Sequence, residues 1–286
     1  MNRNKTDIKL ITENVRKQFL SKISDELELY YKSDVEMVET NIWWTERFVK
    51  FNHGNETKAL KQMLNAFRWR KSFGINDRTA KDIPREFGDG GGIFPYGYDH
   101  KDRPILYCRV KVYQKIEELK LFFQQFVAGI VNHVDQLGGR KGFIIVFDIS
   151  NIAIRNFDLD FLKFFNLLLM HYYPCGVRYF IVYNFTKILR PLWNVTKVMF
   201  SNLPKMLNFC NSAKELSEFI PERYILQYMG GLSSFDFTDF EELYDSPSVR
   251  ELAPLFGFTD EEVDKFMTSF EEQLRDTRKI IDAIKK

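Results

Sequence analysis

Acidic residues are absent from one long stretch of this chain. Residues 161–214 contain no Asp or Glu but seven Lys or Arg, whereas the whole chain has 39 acidic residues in 286. The stretch is also unusually apolar and aromatic, and this combination suggests a surface that meets an anionic, apolar partner such as a membrane or a lipid. A buried α/β core with a chance charge bias explains the same pattern equally well.

Cysteine and long apolar runs are also scarce. The three cysteines, at positions 108, 175 and 210, have neither metal-ligand spacing nor the arrangement of a disulfide framework, which fits a reducing compartment. The N-terminus lacks the apolar segment of a signal peptide, and the longest apolar runs, such as residues 143–147, are far too short to cross a bilayer. We therefore expect any membrane contact to be peripheral, unless the chain is a piece of a longer anchored protein.

The motifs of common enzymes are missing as well. The chain has no Walker loop, nucleophile elbow, His-Glu-x-x-His or Cys-x-x-Cys motif, and its four histidines are scattered. Asp148 lies near the end of a predicted strand, where α/β proteins place catalytic acids, but Ser150 and Asn151 beside it favour a capping role. We therefore predict no enzymatic activity, no metal and no cofactor, and the net charge of +2 gives no argument for nucleic-acid binding.

Phenylalanine, in contrast, is abundant. Aromatic residues make up 16% of the chain and include 28 Phe. Interiors this rich in Phe often enclose an apolar cavity or ligand, although a solid Phe-rich core has the same composition.

The N-terminal third has the periodicity of a helical region. The spacing of apolar residues predicts one helix over residues 6–32, a second that begins near Val35, and a third over 56–73. Residues 88–92 include four glycines, but they lack the strand, helix and Lys-Ser or Lys-Thr pair of a phosphate-binding loop. We interpret them as a flexible linker.

Beyond the linker, strands and helices alternate, which indicates a parallel or mixed sheet with crossover helices. The predicted strands cover residues 105–112, 142–149, 178–184 and 205–210, and the predicted helices cover 116–136, 158–172, 188–200 and 213–219. The helix over 158–172 is apolar almost all round, which predicts burial on every side. The last part is acidic and ends in a charged helix over 260–286, which we expect to pack back on the domain or to serve an oligomer or linker.

The predicted helix over 188–200 combines apolar residues, one Trp and three cations. Trp193 together with Lys187, Arg190 and Lys197 is typical of a helix that lies in a membrane interface, with its apolar side in the acyl chains and its cations on anionic headgroups. The alternative is an ordinary crossover helix that covers the sheet. The two interpretations are compatible if one face covers a cavity and the other meets lipid.

Several motifs, in this order, resemble the CRAL-TRIO (Sec14-like) lipid-binding domain family. The motifs are Ala59-Leu60-Lys61 with Phe67-Arg68-Trp69-Arg70-Lys71, Tyr96-Gly97-Tyr98-Asp99 with Arg103-Pro104, Val146-Phe147-Asp148-Ile149-Ser150, Tyr172-Tyr173-Pro174 with Phe180-Ile181-Val182-Tyr183-Asn184, and Ile220-Pro221 with Tyr228-Met229-Gly230-Gly231. The resemblance implies an α/β fold in which a mixed sheet flanked by helices forms an apolar pocket. It divides the chain into a helical subdomain (1–90), a lipid-binding lobe (91–232) and an acidic helical extension (233–286).

The resemblance also implies a bowl that holds one lipid beneath a mobile gate helix. The implied ligand-binding residues are Phe147, Phe161, Phe165, Leu168, Leu169, Ile181, Tyr183, Ile188, Leu192, Val195, Met199 and Lys205. The implied membrane contacts are Lys187, Arg190, Trp193, Lys197 and Phe200. In members that bind phosphatidylinositol, a Glu follows the Tyr-Pro pair, whereas Cys175 occupies that position here, and Lys205 matches the family's Lys. This departure argues against recognition of an inositol headgroup.

We therefore expect a lipid-binding or lipid-transfer protein whose partners are a phospholipid, or another hydrophobic molecule, and an anionic membrane surface. Its expected location is cytoplasmic and peripheral to membranes, and ER-associated if the chain belongs to a longer anchored protein. Two alternatives remain. One is a membrane-contact tether or signalling scaffold without an exchangeable ligand, and the other differs only in its cargo, a retinoid or tocopherol-like molecule.

Overall fold

The computed structural model describes residues 5–77, 79–153, 156–186, 189, 190, 194, 203–241 and 245–285. The N-terminal part is helical, with α1 at Lys5–Ile23, α2 at Lys32–Thr40, α3 at Trp43–Phe51, α4 at Glu56–Ser72 and the short α5 at Arg85–Asp89. The predicted helix over 6–32 ends early, at Ile23. Its last turn is followed by Ser24, whose hydroxyl donates to the carbonyl of Ser21 and so competes with the helical backbone pattern.

Five strands form one sheet in the described part of the chain. The strands are β1 at Ile93–Tyr98, β2 at Pro104–Arg109, β3 at Phe143–Asp148, β4 at Val177–Tyr183 and β5 at Leu207–Cys210. They lie in chain order across the sheet; β1 is antiparallel to β2 and all other neighbours are parallel. The sheet is therefore mixed, as the resemblance implies.

The β1–β2 hairpin explains the Gly-x-Asp-x-x-x-Arg-Pro pattern. A side chain on Gly97 would lie 2.5 Å from the ring of Tyr224, and the φ of +68° at this position also favours glycine. Asp99 accepts hydrogen bonds from the Arg103 guanidinium and from the Tyr179 hydroxyl, at 2.6 and 3.0 Å. Burial alone would raise the pKa of Asp99, but these bonds and two backbone N–H groups lower it below its usual value. The motif thus fixes the hairpin against β4.

Long helices connect the parallel strands on one side of the sheet. Helix α6, Lys120–Gly138, links β2 to β3, and α7, Leu159–Leu167, links β3 to β4 and continues as a π-helical turn over Leu168–Tyr172. Side chains of both helices belong to one apolar cluster with Phe143, Ile145 and Phe180 of the sheet. A right-handed crossover between neighbouring parallel strands places successive helices on the same face, as seen here.

Helix α7 is not buried on every side, contrary to the prediction. Leu159 and Leu167 are exposed, whereas Phe165 is buried. The helix is apolar on its inner side because that side faces the sheet, and its outer leucines lie at the surface.

The opposite face of the sheet is covered by short segments. Side chains of Phe94, Tyr107, Ile144 and Ile181 pack there against α8, Ala213–Leu216, and the irregular chain that follows it. The ring of Phe94 stacks between those of Tyr107 and Phe237, with centroids 5.6 and 5.0 Å away.

The acidic C-terminal part packs back on the domain. It contains α9, Val249–Phe256, and α10, Asp260–Ile284, and each begins with a capping box, Ser248 with Glu251 and Thr259 with Glu262. Phe266 and Phe270 of α10 join the apolar cluster on the α6–α7 side of the sheet, and Ile281 joins the cluster on the other side.

The glycine-rich segment is not a flexible linker, and this prediction is wrong. Gly88, Gly90 and Gly91 are buried. An added Cβ on Gly90 would lie 2.8 Å from Phe270, and one on Gly91 would lie 2.5 Å from Phe237. The glycines are therefore needed because two aromatic side chains from distant parts of the chain approach the backbone closely.

Two buried arginines join the N-terminal helices to the rest of the molecule. Arg47 of α3 makes two bonds to Asp135 of α6, at 2.6 and 2.7 Å, and a third to the carbonyl of Pro174. Arg70 of α4 pairs with Asp34 and also donates to the hydroxyl of Tyr173 at 2.6 Å. Every one of these charges is almost fully buried and paired, so the junction has a defined geometry.

Candidate ligand-binding cavity

A cavity of about 290 Å³ lies between the sheet and helices α6 and α7. Its floor consists of side chains on alternate strand positions: Ile93, Cys108, Phe147, Phe180, Val182 and Leu207. Successive side chains on a strand point to opposite faces, so this floor is one face of the sheet, from β1 to β5. The volume lies at the lower end of the range found for small-molecule sites.

The walls come from three helices that are far apart in sequence. Helix α6 contributes Phe123, Phe126 and Val127; helix α7 with its π-helical turn contributes Phe161, Phe165 and Leu169; helix α10 contributes Phe266 and Phe270. Edge-on and stacked ring contacts connect floor and walls. The rings of Phe147 and Phe165 are 6.0 Å apart, and those of Phe123 and Phe161 are 5.2 Å apart. The interior is therefore a Phe-rich, apolar surface held by mutual aromatic packing.

The polar side chains at the rim are mostly engaged in structural hydrogen bonds. Asp158 caps α7 through the N–H groups of Asp160 and Phe161, and it accepts a 2.6 Å bond from the hydroxyl of Tyr113. Burial alone would raise the pKa of Asp158, but these three bonds lower it below its usual value. Asn156 donates to the carbonyls of Lys111 and Tyr113. Because Asp158 and Asn156 form their hydrogen bonds with other groups of the protein, their role is to hold the rim of the cavity in shape.

Cys108 is among the residues that border the cavity. Burial raises the pKa of the Cys108 thiol, which keeps it protonated and a poor nucleophile. Within the described ranges, no group of three or more His, Cys, Asp or Glu side chains is arranged to hold a metal ion. The arrangement can enclose an apolar molecule.

Asp148 lies on the other side of the sheet and has a structural role. Its carboxylate accepts bonds from the backbone N–H and hydroxyl of Ser150 and a 3.0 Å bond from the hydroxyl of Tyr228. Asn184 in turn donates to the Ser150 hydroxyl at 2.7 Å. This network ties the ends of β3 and β4 to the segment around Tyr228, in line with the structural role of Asp148 that the sequence favours.

The structure brings together four of the residues predicted to bind ligand, namely Phe147, Phe161, Phe165 and Leu169, all of which border the cavity. Leu168 belongs to the adjoining apolar cluster without bordering the space. Ile181 and Tyr183 lie on the opposite face, and the Tyr183 hydroxyl donates to the carbonyl of Met229. Their neighbours Phe180 and Val182 line the cavity instead, because the side chains of a strand alternate.

Most of the predicted gate lies outside the described residues. This applies to Lys187, Ile188, Leu192, Trp193, Val195, Lys197, Met199 and Phe200. Arg190 and Lys205 are described and exposed, and neither borders the cavity. Leu189 is buried and does border it, so this segment approaches the cavity at one point at least.

Sequence reasoning missed the contributions of α6 and α10. The apolar face of α10, with Val263, Phe266, Phe270 and Leu274, was visible as a helical stripe. A stripe shows that a helix packs, but not which surface it packs on. No local pattern indicated that Phe266 and Phe270 border a cavity together with Ile93 of β1, more than 170 residues earlier in the chain.

Comparison with known proteins gives a consistent result. The family model described as CRAL/TRIO domain matches residues 89–231. The crystal structure of Sfh5 superposes with a TM-score of 0.63 at 12% identity, and the match covers 95% of this chain and all of that one. At this identity the similarity shows the fold.

Curated relatives match over about two thirds of the chain. Phosphatidylinositol transfer protein CSR1 of Eremothecium gossypii is 23% identical over 212 residues, which cover 68% of this chain and 48% of the relative. CRAL-TRIO domain-containing protein C365.01 of Schizosaccharomyces pombe is 25% identical over 210 residues, with coverages of 68% and 58%. The chain thus spans about half the length of the curated relatives it matches.

In the part of the chain that the structure describes, no helix is both long enough and apolar enough to cross a bilayer.

Proposed function

Because the chain belongs to the CRAL/TRIO domain family, we propose that it holds one lipid, or another hydrophobic molecule, in the cavity between the sheet and helices α6 and α7. The observation that carries the proposal is the cavity itself, about 290 Å³ of space lined by Phe, Leu, Ile and Val side chains. A well-packed protein interior leaves few voids larger than a water molecule, so an apolar space of this size favours a binding site for an apolar molecule.

The chemistry of the cavity suits an acyl chain. Each methylene group that leaves water for an apolar site contributes roughly 0.8 kcal/mol, so a bound chain is held by burial alone. Neighbouring strands are about 4.8 Å apart, so a floor of five strands extends roughly 19 Å. This extent accommodates a long, narrow apolar molecule. The protein acts by binding and release, without catalysis.

The name of one relative says that it transfers phosphatidylinositol. The proposal for this chain is coarser, a phospholipid or other hydrophobic ligand without a defined headgroup. Neither Cys175 nor Lys205, at the positions linked to inositol binding by family resemblance, borders the cavity. Cys175 instead occupies a turn with a φ of +59°, between Pro174 and Gly176.

The first test fills the cavity. Leu169 is 2% exposed and borders the cavity, whereas Leu167, two residues earlier on the same helical segment, is 43% exposed and points away from it. The Leu169→Trp variant should transfer a fluorescent phosphatidylcholine between vesicles at least about tenfold more slowly. Its indole occupies space that the lipid would fill, and each lipid methylene that is excluded lowers the affinity of the protein for the lipid about fourfold. The Leu167→Trp variant adds the same bulk at the surface and should transfer lipid normally.

Three outcomes separate the alternatives. Equal transfer by both variants would place the ligand outside this cavity. Failure of the unsubstituted protein to take up lipid would favour a tether or scaffold without exchangeable cargo. Uptake of a retinol or tocopherol probe in preference to phosphatidylcholine would support the cavity as a binding site and show that its ligand is not a phospholipid. Thermal unfolding of both variants checks that each is folded.

We also propose that residues 188–200 form the gate of the cavity, and that Lys187, Arg190, Trp193, Lys197 and Phe200 dock this part of the chain on anionic membranes. Each cation near an anionic surface contributes about 1 kcal/mol. The Trp193→Glu variant should therefore bind vesicles containing phosphatidylserine more weakly in a flotation assay. Leu10→Glu, on the exposed side of α1, is a control for added charge. Unchanged vesicle affinity of the Trp193→Glu variant would contradict the docking role.

A finer resemblance extends the proposal to location. Ile11-Thr12-Glu13, Phe67-Arg68-Trp69-Arg70-Lys71 and Tyr228-Met229-Gly230-Gly231 resemble the N-terminal domain of motile sperm domain-containing protein 2, an ER-anchored contact-site protein. By this resemblance the chain works on the cytoplasmic side of the ER membrane. Imaging of the full-length protein beside an ER marker tests this location, and a diffuse distribution would contradict it.

A further inference from the structure

The two ends of the cavity differ in how they are closed. At the β1 end, Phe87, Ile93, Phe266 and Phe270 border the space and are at most 9% exposed. At the β5 end, the bordering Phe209 is 42% exposed. An elongated ligand that lies across the strands therefore has a sealed end at β1 and an end near the surface at β5.

The sealed end is built by α10, which lies outside the part of the chain that matches the CRAL/TRIO domain, residues 89–231. Two of its aromatic side chains, Phe266 and Phe270, stack with centroids 5.5 Å apart and face the cavity together. The phenyl groups stand where a longer apolar chain would continue. Together with Phe87 and Ile93 they border the space at this end.

Helix α10 is held in place by a specific set of polar contacts. The hydroxyl of Thr277 donates to the carbonyl of Gly90 at 3.0 Å and accepts a 3.1 Å bond from the buried Arg109 guanidinium. Gln114 donates to the carbonyl of Ser269 at 2.6 Å, and Lys111 forms an ion pair with Asp276. Bonds of this kind at several points along one helix fix its rotation and hence the direction of its phenyl groups.

The glycine-rich segment, residues 88–92, makes room for the ring of Phe270. Because an added Cβ on Gly90 would lie 2.8 Å from the tip of the Phe270 ring, only glycine leaves room for the ring at this depth. The segment that resembled a linker in sequence therefore positions the end wall of the cavity.

We propose that Phe266 and Phe270 of α10 are the residues that set the maximum length of the apolar chain this protein binds. The inference rests on the proposed function, since it assigns specificity to the same cavity. Removal of the Phe270 ring, in Phe270→Ala, deletes six carbon atoms from the sealed end and extends the space along the direction of the ligand. Each methylene that the longer space then accepts should raise affinity about fourfold.

The test is a competition among apolar chains of different length. Purified protein is incubated with an equimolar mixture of saturated fatty acids that differ by two methylenes from one to the next, and native mass spectrometry measures the occupancy of each. The Phe270→Ala variant should prefer a longer chain than the unsubstituted protein, with the ratio of longer to shorter occupancy raised about tenfold or more. Phe19→Ala is the matched control, because Phe19 is fully buried in the N-terminal helices, far from the cavity. Its length profile should be unchanged.

The possible outcomes separate the two proposals. An unsubstituted protein that binds none of the fatty acids would overturn this inference, whereas the proposed function is overturned separately, if the protein takes up neither phosphatidylcholine nor a retinol or tocopherol probe. A Phe270→Ala variant that is loaded with the same length profile as the unsubstituted protein would overturn the inference alone. If Phe270→Ala does not fold, Phe270→Leu provides the same test, with a smaller shift in the same direction.

Discussion

The two faces of one sheet differ sharply in packing. The face toward α6 and α7 borders a space of about 290 Å³, whereas on the opposite face Phe94, Tyr107, Ile144 and Val146 belong to one apolar cluster and do not border that space. Both sets of side chains come from the same strands and are equally apolar. The difference therefore arises from what covers each face.

Long helices cover one face and short segments the other. Side chains of α6, α7 and α10 border the cavity without filling it. The short helix α8 and the irregular chain around Ile220, Ile225 and Phe237 pack against the opposite face. The packed face of the sheet supports the fold, and the face that borders the cavity can hold a ligand. This division of roles leads to three predictions.

The largest expected effect is on the packed face. Phe94→Ala removes a fully buried ring that stacks on Tyr107 and Phe237, and it should lower the free energy of unfolding by about 3–5 kcal/mol. Urea unfolding measures the change. A loss below that found for the same substitution on the cavity side would contradict the difference between the faces.

The matched substitution on the cavity side is Phe165→Ala. Phe165 is 6% exposed, but one side of its ring borders empty space, so fewer packed contacts are lost. We expect a loss of about 2 kcal/mol in lipid-free protein, smaller than for Phe94→Ala. Equal losses for the two variants would mean that the cavity is filled by protein side chains in solution.

The smallest effect concerns a carboxyl group beside the cavity. Glu86 is buried next to Phe87 and accepts a 3.0 Å bond from the N–H of Val249 at the start of α9. Burial raises the pKa of Glu86 above its usual value of 4.5, so the folded protein holds this proton more tightly than the unfolded chain. As pH rises from 4.5 through the folded pKa, the contribution of this group to stability should fall.

The Glu86→Gln variant retains an oxygen that can accept the Val249 bond but cannot ionise. Its free energy of unfolding should therefore fall less than that of the unsubstituted protein between pH 4.5 and neutrality. Urea unfolding at a series of pH values provides the measurement. Parallel pH profiles for the two proteins would show that Glu86 does not titrate in this range.

Much of the fold was predictable because its signals are local. The buried strands β3 and β4, the helices between them and the apolar stripe of α10 all follow from the order of apolar residues. The motifs at residues 96–104 and 172–184 indicated the CRAL-TRIO fold, and the family match confirms it.

The candidate site was less predictable, for a physical reason. Strand β4 is apolar on both faces, so its sequence does not show that Phe180 and Val182 border the cavity while Ile181 and Tyr183 face away. The glycines at 88–92 are required by contacts with Phe237 and Phe270, which lie more than 140 residues later in the chain. The ion pair of Arg47 with Asp135 likewise joins residues 88 positions apart. Such contacts depend on tertiary packing, which a local pattern does not specify.

Native mass spectrometry of protein purified without detergent tests the central claim most directly. If the cavity between the sheet and helices α6 and α7 holds an apolar ligand, the folded protein should carry one additional mass per chain. This mass should disappear on denaturation and be absent from the Leu169→Trp variant. A spectrum of ligand-free protein that remains unchanged after incubation with phospholipid vesicles would contradict the claim.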